Sequence, residues 1–151
     1  MPKIDLSKAV TRTQSVYPGE LGKVTHGREK TVLGNVVGLT QFGVNLTRLK
    51  PGAASALRHW HETEDEFVYI LEGEATLIDN AGETILKAGE CAGFKASDPN
   101  GHCVVNKSQS DVLYLEVGTR AATDRYHYPD VDLAGEKTEN GVRFWAKSER
   151  A

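Results

Sequence analysis

The chain has few of the features that mark exported, membrane-bound or disulfide-stabilised proteins. It holds two cysteines, Cys91 and Cys103, which are too few for a disulfide framework. Its longest apolar run is Phe67 to Leu71, and its N-terminal residues lack the apolar core of a signal peptide. We therefore expect a cytoplasmic protein with no membrane partner, in which both cysteines behave as small buried hydrophobes within strands.

The charge pattern excludes a further class of partner. The formal net charge is −3 and no block of Lys or Arg occurs, so nothing favours binding to nucleic acid. At 151 residues, with 39% hydrophobic and 26% charged residues, the chain fits one globular domain with a core of its own. The partner that we expect is therefore a small-molecule ligand or substrate.

What the sequence does contain is a series of short strands. Runs rich in Val, Ile, Leu, Thr and aromatic residues alternate with turn residues such as Lys50-Pro51-Gly52. No amphipathic helix separates these runs, so the pattern predicts an all-β sandwich or barrel. The predicted strands are Gly43 to Leu49, Ser55 to His61, Glu66 to Leu71, Ala75 to Ile78, Thr84 to Leu86, Ala92 to Lys95, His102 to Asn106 and Val112 to Val117.

The two ends of the chain differ from this middle. The first 30 residues are polar and mixed, and they predict an irregular arm that covers the barrel. Beyond Gly118 the chain is loop-like, with one last strand or turn expected from Gly141 to Lys147. We accordingly divide the chain into an N-terminal arm with covering strands (1–41), a barrel core (42–118) and a C-terminal extension packed on the same domain (119–151).

Two histidines and a glutamate predict a metal site. Because side chains alternate along a strand, His59 and His61 point to the same face. Glu66 begins the next predicted strand and shares its face with Val68 and Ile70. A carboxylate at the head of an apolar face is costly to bury unpaired, and a bound cation offsets that cost. Two imidazoles and a carboxylate that converge predict a divalent transition metal, and Fe, Mn, Ni or Zn suits these donors.

A third histidine, His102, begins a later strand. A lone strand histidine is more often structural, but beside a histidine pair and a carboxylate the pattern favours a metal ligand. The acidic residues of the turn between the two strands are expected to be solvated; they are Glu62, Glu64 and Asp65. The two remaining histidines, His26 and His127, lie in irregular segments without a partner pattern and are not predicted to be ligands.

These residues resemble the two sequence motifs of the cupin superfamily. The first motif, two histidines followed by a glutamate and a glycine, is similar to His59, His61, Glu66 and Gly73. The second resembles Gly93, Pro99, His102 and Asn106. Two spacings differ from the usual pattern: six residues rather than five separate Gly52 from His59, and Gly101 directly precedes His102.

The resemblance extends over about Phe42 to Gly118 and is to small bacterial single-domain cupins, most of which are uncharacterised. It implies a double-stranded β-helix, or jelly-roll, barrel. It also implies that each chain holds one divalent metal near one mouth of the barrel, through His59, His61, Glu66 and His102.

The cupin barrel hosts dioxygenases, isomerases, decarboxylases, storage proteins and sugar-binding regulator domains, so the fold leaves several functions open. We rank first a metal-dependent enzyme acting on a small oxygen-rich metabolite. A non-catalytic binding or sensor module that uses the metal as an anchor comes second. A structural metal site comes third, because structural zinc sites are usually tetrahedral and rich in cysteine. Catalytic residues are unassigned. Four polar residues are candidates to assist the metal ligands, but the alternation of side chains along a strand does not tell whether they face the pocket: Arg58, Asn106, Tyr114 and Glu116.

An apolar outer face predicts association between chains. Trp60, Phe67, Tyr69 and Leu71 fall on the side opposite the proposed ligands. A barrel with such a face is expected to cover it with a second sheet, an N-terminal arm or another chain. Small cupins commonly pair by sheet edges and exchanged arms, so the resemblance implies a homodimer.

Overall fold

The computed structural model describes residues 2–149 and is dominated by short strands. The first strands are β1 (Val10–Arg12), β2 (Arg28–Val32), β3 (Phe42–Leu49), β4 (Trp60–His61), β5 (Glu66–Glu72) and β6 (Glu74–Asp79). They are followed by β7 (Gly82–Lys87), β8 (Cys91–Phe94), β9 (Cys103–Val105), β10 (Val112–Thr119), β11 (Asp124–His127), β12 (Ala134–Thr138) and β13 (Gly141–Trp145). Short 3-10 helices span Leu6–Lys8, Gly19–Thr25, Gly34–Val37 and Lys147–Glu149. No helix in the described part of the chain is long and apolar enough to cross a membrane.

The strands form three antiparallel sheets. The largest has the order β1-β2-β3-β10-β5-β8, and the others have the orders β13-β12-β11-β4 and β7-β6-β9. Neighbours such as β3 and β10 are far apart in sequence, as expected when a chain winds into a jelly roll. The predicted all-β double-stranded β-helix is therefore confirmed.

The hydrophobic core lies between the six-stranded sheet and the three-stranded sheet. Ile70 on β5 and Tyr114 on β10 are register partners and are fully buried. Leu86 on β7 and Val104 on β9 belong to the same buried cluster from the other sheet. Full burial of one such aliphatic side chain is worth roughly 1.5–3 kcal/mol. These contacts fix the sheets against each other and so position the residues that β4, β5 and β9 carry.

Both ends of the chain are more ordered than the sequence predicts. Strands β1 and β2, in the segment expected to be an arm with covering strands, join the main sheet beside β3 instead of remaining irregular. Strands β11 and β12 lie in the segment expected to be loop-like and pair with β4 and β13. Their residues alternate weakly in hydrophobicity, since Asp124–His127 and Ala134–Thr138 are largely polar and form a sheet at the surface.

Two smaller expectations also differ from the structure. The predicted strand from Ser55 to His61 is reduced to β4, with isolated bridges at Ala54 and His59. One reason is that the backbone N–H of Leu57 donates to the hydroxyl of Tyr17 rather than to a neighbouring strand. Among the cysteines, Cys103 is buried as expected, whereas Cys91 is exposed at the start of the edge strand β8.

Gly73 forms the tight turn between β5 and β6. Its φ is +85°, and a Cβ atom there would lie 2.5 Å from the carbonyl oxygen of Asp111. Gly89 has nearly the same φ, +90°, but a Cβ atom at this position would meet nothing within 4 Å. Substitution of Gly89 therefore measures the cost of a left-handed backbone alone, whereas substitution of Gly73 measures that cost together with the cost of a steric clash.

We predict that Gly73→Ala lowers the free energy of unfolding by about 2–4 kcal/mol, from backbone strain and the clash together. Gly89→Ala should cost about 1 kcal/mol, because only the backbone strain applies. Denaturant unfolding followed by circular dichroism measures both values. Equal losses in the two variants would contradict the steric role of Gly73.

The outer face of β5 carries exposed apolar residues. Phe67, Tyr69 and Leu71 are 39%, 38% and 42% exposed, and they alternate with the buried Val68 and Ile70. Trp60 has a partner within the chain, since its ring stacks on His127 with centroids 4.1 Å apart. The face that remains uncovered is thus the one formed by β5.

We predict a homodimer that covers this face. Light scattering at micromolar concentration should give twice the chain mass, and Tyr69→Lys should shift the mass toward that of one chain because it places a charge in an apolar contact. The matched variant Ile85→Lys, at an exposed site on β7, should leave the mass unchanged. A monomeric wild-type protein would contradict the prediction.

Candidate metal centre

The structure brings together the four residues that the sequence singles out. The Nε2 atoms of His59 and His61 lie 3.4 Å from the two carboxylate oxygens of Glu66. The Nε2 atom of His102 lies 2.6 Å from the same carboxylate. His59 sits next to both other rings, with centroids 5.0 Å from His61 and 4.8 Å from His102. Three imidazoles therefore surround one carboxylate.

Backbone pairing fixes the positions of these side chains. His59 and His102 exchange backbone hydrogen bonds of 3.1 and 2.9 Å across an isolated bridge. His61 is on β4, where its register partner is Tyr126 of β11. Glu66 begins β5 and is paired in the main sheet with Gly118 and Phe94. The group thus spans separate sheet elements that the barrel core holds in place.

Each imidazole is oriented by an oxygen on its far side. The Nδ1 atoms of His59 and His102 face backbone carbonyl oxygens at 2.7 and 3.4 Å. The Nδ1 atom of His61 lies 2.5 Å from Oδ2 of Asp124. When Nδ1–H donates to these oxygens, the Nε2 lone pairs are directed at the space around Glu66. This tautomer is the one that a metal ligand requires.

The donor set fits a transition-metal ion. Nε2 of His61 is buried and forms no hydrogen bond with the described residues. A buried nitrogen without a partner is destabilising, and coordination would satisfy it. Three imidazole nitrogens and one carboxylate oxygen match the preferences of Fe, Mn, Ni or Zn. Ligation by all four residues stays a prediction, which is tested below.

The electrostatics of the centre favour positive charge. Burial lowers the pKa of His61, but its hydrogen bond with Asp124 and the nearby carboxylate of Glu66 outweigh this effect and raise the pKa to about 10. Burial raises the pKa of Glu66, yet the hydrogen bond with His102 and the nearby imidazoles of the other two histidines hold the pKa well below its usual range. A metal ion at this position would supply the positive charge that a proton otherwise brings.

Asp124 is a residue of the centre that the sequence does not reveal. It is 3% exposed and accepts hydrogen bonds from the backbone N–H and the hydroxyl of Thr63, both 2.9 Å long, besides its contact with His61. Burial raises its pKa, but the hydrogen bond with His61 leads the effects that lower the pKa overall. Asp124 comes from β11, in the segment expected to be a loop. The alternation of side chains within the histidine and glutamate motif therefore gives no sign that Asp124 belongs to the centre.

Glu64 is also closer to the centre than the sequence predicts. The pattern indicates a solvated turn residue, but the side chain is only 13% exposed and pairs with Lys137 of β12. Its Oε2 atom lies 3.9 Å from Nδ1 of His61. β4 pairs with β11, and β11 pairs with β12, so the C-terminal strands lie beside this turn and remove Glu64 from solvent.

A cavity of about 440 Å³ lies against the four residues. Phe94 forms part of its wall and stacks on His102, with centroids 3.6 Å apart. Two of the polar candidates line it, Tyr114 and Glu116, both from β10. The cavity wall also includes aromatic residues from the N-terminal segment and the C-terminal strands: Tyr17, Tyr126, Tyr128 and Phe144.

The other two polar candidates have structural roles. The side-chain amide of Asn106 donates to the carbonyl oxygens of Leu49 and Ser110 and holds the turn before β10. Arg58 forms two 2.8 Å hydrogen bonds with Asp130 on the outside of the barrel. Neither is among the residues that line the cavity.

Comparison with known proteins agrees with this geometry. A family profile described as the cupin domain matches residues 45–118. A solved structure from Silicibacter pomeroyi, described as a sugar phosphate isomerase from a cupin superfamily, is 46% identical, with a TM-score of 0.93 over 97% of this chain and 94% of that chain. A structure from Acidithiobacillus ferrooxidans with a provisional description as a sugar phosphate isomerase is 26% identical, with a TM-score of 0.76 over 82% of this chain and 79% of that one.

The match to a curated relative covers less of the chain than the match to the Silicibacter pomeroyi structure. An oxalate-binding protein of Thermotoga maritima is 34% identical over 70 residues, which are 46% of this chain and 55% of the relative. The match thus spans about half the length of that protein. The likeness to the Silicibacter pomeroyi structure, in contrast, extends over nearly the whole of both chains. Together with the cupin-domain match to the middle of the chain, it shows that this chain belongs to the cupin superfamily.

Proposed function

We propose that the protein is a metal-dependent isomerase acting on a small oxygen-rich metabolite of the sugar type. The observation that carries this proposal is the convergence of three imidazoles and Glu66 at the wall of a cavity of about 440 Å³. A space of this size suits a small metabolite. The description of the Silicibacter pomeroyi relative as a sugar phosphate isomerase supports the isomerase class over the dioxygenase and decarboxylase classes.

The metal would be held by His59, His61, Glu66 and His102. When bound, a divalent ion supplies a Lewis acid that polarises a carbonyl or hydroxyl oxygen of the substrate. The protein contributes the orientation of the ligands, through Asp124 and the backbone carbonyls behind the imidazoles. Isomerisation needs no change in oxidation state of the ion, so the choice of metal stays open.

Glu116 is the residue to which we assign proton transfer. Interconversion of an aldose and a ketose moves one proton from one carbon to its neighbour and a second proton from the hydroxyl oxygen of one carbon to the carbonyl oxygen of the other. The transfer between the carbons requires a group that takes the proton and returns it. Oε1 of Glu116 accepts hydrogen bonds from Thr47 and Asn45 at 2.9 and 3.4 Å and lies 3.0 Å from Nζ of Lys30. Its second oxygen, Oε2, receives no hydrogen bond from the described residues and is the atom that would carry the proton.

The position of Glu116 suits this role. Glu66 is the register partner of Gly118, and Glu116 is two residues along the same strand, with its side chain on the same face. Two residues of a strand correspond to about 7 Å. The carboxylate therefore lies beside the metal centre without belonging to it, where the carbons of a substrate bound at the centre would be.

Aromatic residues are positioned to exclude water from the cavity. Tyr17 contacts Tyr128 and Phe144 edge to face, with ring centroids 5.6 and 5.7 Å apart. These contacts join the N-terminal segment to the C-terminal strands across one side of the cavity. A drier cavity strengthens electrostatic interactions with a bound substrate.

A second candidate function is non-catalytic binding of a small carboxylate. The observation that favours it is the similarity, over 70 residues, to the oxalate-binding protein of Thermotoga maritima. In that case the metal would serve as an anchor for the ligand, and Glu116 would have no part in proton transfer. The two functions differ in whether any metal form of the protein shows turnover.

The metal assignment predicts which residues the protein needs to retain its metal. Alanine substitutions of His59, His61 or Glu66 should abolish stoichiometric metal binding, measured by mass spectrometry of the purified protein. Asp124→Asn should weaken metal affinity about 10–100-fold, because it removes the acceptor that orients His61. His127→Ala is the matched control, since His127 stacks on Trp60 away from the centre and should keep full occupancy.

Circular dichroism should show that these variants keep the barrel. Full occupancy in folded His61→Ala would refute the assignment. Loss of metal in the first three variants but not in His102→Ala would reduce the ligand set to His59, His61 and Glu66.

The isomerase proposal predicts turnover of sugars or their phosphates. Metal-free protein is loaded separately with Fe, Mn, Ni and Zn, and each form is incubated with aldose and ketose sugars and their phosphates in deuterated water. We expect interconversion in at least one form, with deuterium at the carbon that exchanges its proton. Glu116→Gln should slow it by about 100-fold or more with metal content unchanged, because the proton carrier is removed. Tight ligand binding without turnover in every metal form would favour the binding function instead.

A further inference from the structure

We propose that the cavity contains a second subsite, which binds the phosphate group of a phosphate monoester. It is formed by Arg12, Arg28 and Lys30 of strands β1 and β2 together with Tyr114 of β10. The inference deepens the proposed function, on which it rests, by naming the class of substrate as a phosphorylated one. All four residues line the cavity.

The register of the main sheet places these residues together. Arg12 is the partner of Lys30, Lys30 of Thr47, and Thr47 of Tyr114, so one row crosses four strands. Side chains in such a row share one face of the sheet. Arg28 precedes Lys30 by two residues on β2 and therefore points to the same side.

The positive charge of this row is not balanced. Arg12 and Arg28 have no carboxylate partner among the described residues. The guanidinium of Arg28 is held instead by two backbone carbonyl oxygens, those of Ser55 at 2.6 Å and Gln14 at 3.5 Å. These acceptors orient the group but leave its charge in place. The third cation, Lys30, is paired with Glu116, so two positive charges remain without a counter-charge.

Two polar atoms in this region are buried without a hydrogen-bond partner among the described residues. One is Nε of Arg28, a donor. The other is the hydroxyl oxygen of Tyr114, a residue with no exposed surface. Its neighbour in register, Thr47, donates to Glu116 instead. Buried donors that lack a partner are rare in folded proteins, and a ligand with several acceptor oxygens would satisfy both.

A phosphate monoester matches this arrangement better than a carboxylate. It carries about −1.5 to −2 charge at neutral pH and three acceptor oxygens, which corresponds to the two unbalanced cations and the free donors. Guanidinium groups bind phosphate oxygens with good geometry. Glu116 lies between the row and the metal centre, since it contacts Lys30 on one side and is near Glu66 on the other. A substrate phosphate on the row would therefore place the sugar carbons beside Glu116.

The test is calorimetric titration of the metal-loaded protein with inorganic phosphate, and separately with oxalate. Arg12→Gln is the main variant, because Arg12 is exposed and makes no contact whose loss would unfold the chain. We expect it to weaken phosphate binding about tenfold and to leave oxalate binding unchanged. Arg125→Gln is the matched control: it removes the same charge from an exposed site on β11 outside the cavity and should leave phosphate binding unchanged.

Tyr114→Phe provides a second readout. It removes only the buried hydroxyl and should weaken phosphate binding several-fold while the melting temperature stays equal or rises, because no protein group loses a partner. A fall in the melting temperature with unchanged phosphate binding would show that the hydroxyl has a structural role and would overturn its place in the subsite.

The outcomes separate this inference from the proposed function. Absence of phosphate binding in the wild type, or equal effects of Arg12→Gln and Arg125→Gln, would overturn the subsite even if metal retention and turnover are as expected. Phosphate binding that depends on Arg12, in a protein that retains no metal, would support the subsite and refute the metal-dependent function.

Discussion

The carboxylate of Glu66 at the focus of three imidazoles is the interaction around which the functional end of this barrel is organised. Glu66 heads a strand whose next inward residues, Val68 and Ile70, belong to the apolar core. A charged group in that position is tolerated only if positive charge lies next to it. The three histidines supply that charge when protonated, and a metal ion would supply it more effectively without the protons. The requirement explains why residues from separate sheets meet at this point.

The same requirement extends to the ends of the chain. Asp124 and Lys137 lie on β11 and β12, beyond the segment that matches the cupin domain, yet Asp124 orients His61 and Lys137 pairs with Glu64 beside it. At the other end, β1 and β2 extend the main sheet and bring Arg12, Arg28 and Lys30 to the cavity. The terminal segments are thus more than a cover for the barrel, because they contribute residues both to the candidate metal centre and to the wall of the cavity.

The parts of the site that sequence alone predicts are those that depend on local geometry. Alternation along a strand places His59 and His61 on one face with Glu66, and the resemblance to cupins adds His102. The structure brings these four side chains together, and ligation of a metal by them stays a prediction. Asp124 and Lys30 are not, because their contacts depend on which strands pair across long separations in the chain. The strand at Asp124–His127 also escapes prediction, since a polar strand at the surface carries little hydrophobic alternation. Sequence periodicity reports the contrast between a buried and an exposed face, and it gives little signal for a strand such as β11 that carries polar residues on both faces.

The charges of the cavity set a condition on what it binds. One end, around Glu66 and Asp124, favours a cation, and the other, at Arg12 and Arg28, favours an anion, with the Lys30–Glu116 pair between them. A metal ion satisfies the first end but leaves the second unbalanced. A neutral sugar bound at the metal would leave the charges of both guanidinium groups unbalanced and would leave Nε of Arg28 and the Tyr114 hydroxyl without partners, whereas a phosphorylated sugar on the proposed subsite would satisfy both ends at once. Selectivity for phosphorylated substrates would then follow from the unbalanced charges of Arg12 and Arg28 and from the desolvation cost of the two buried donors, because a phosphate group offsets both.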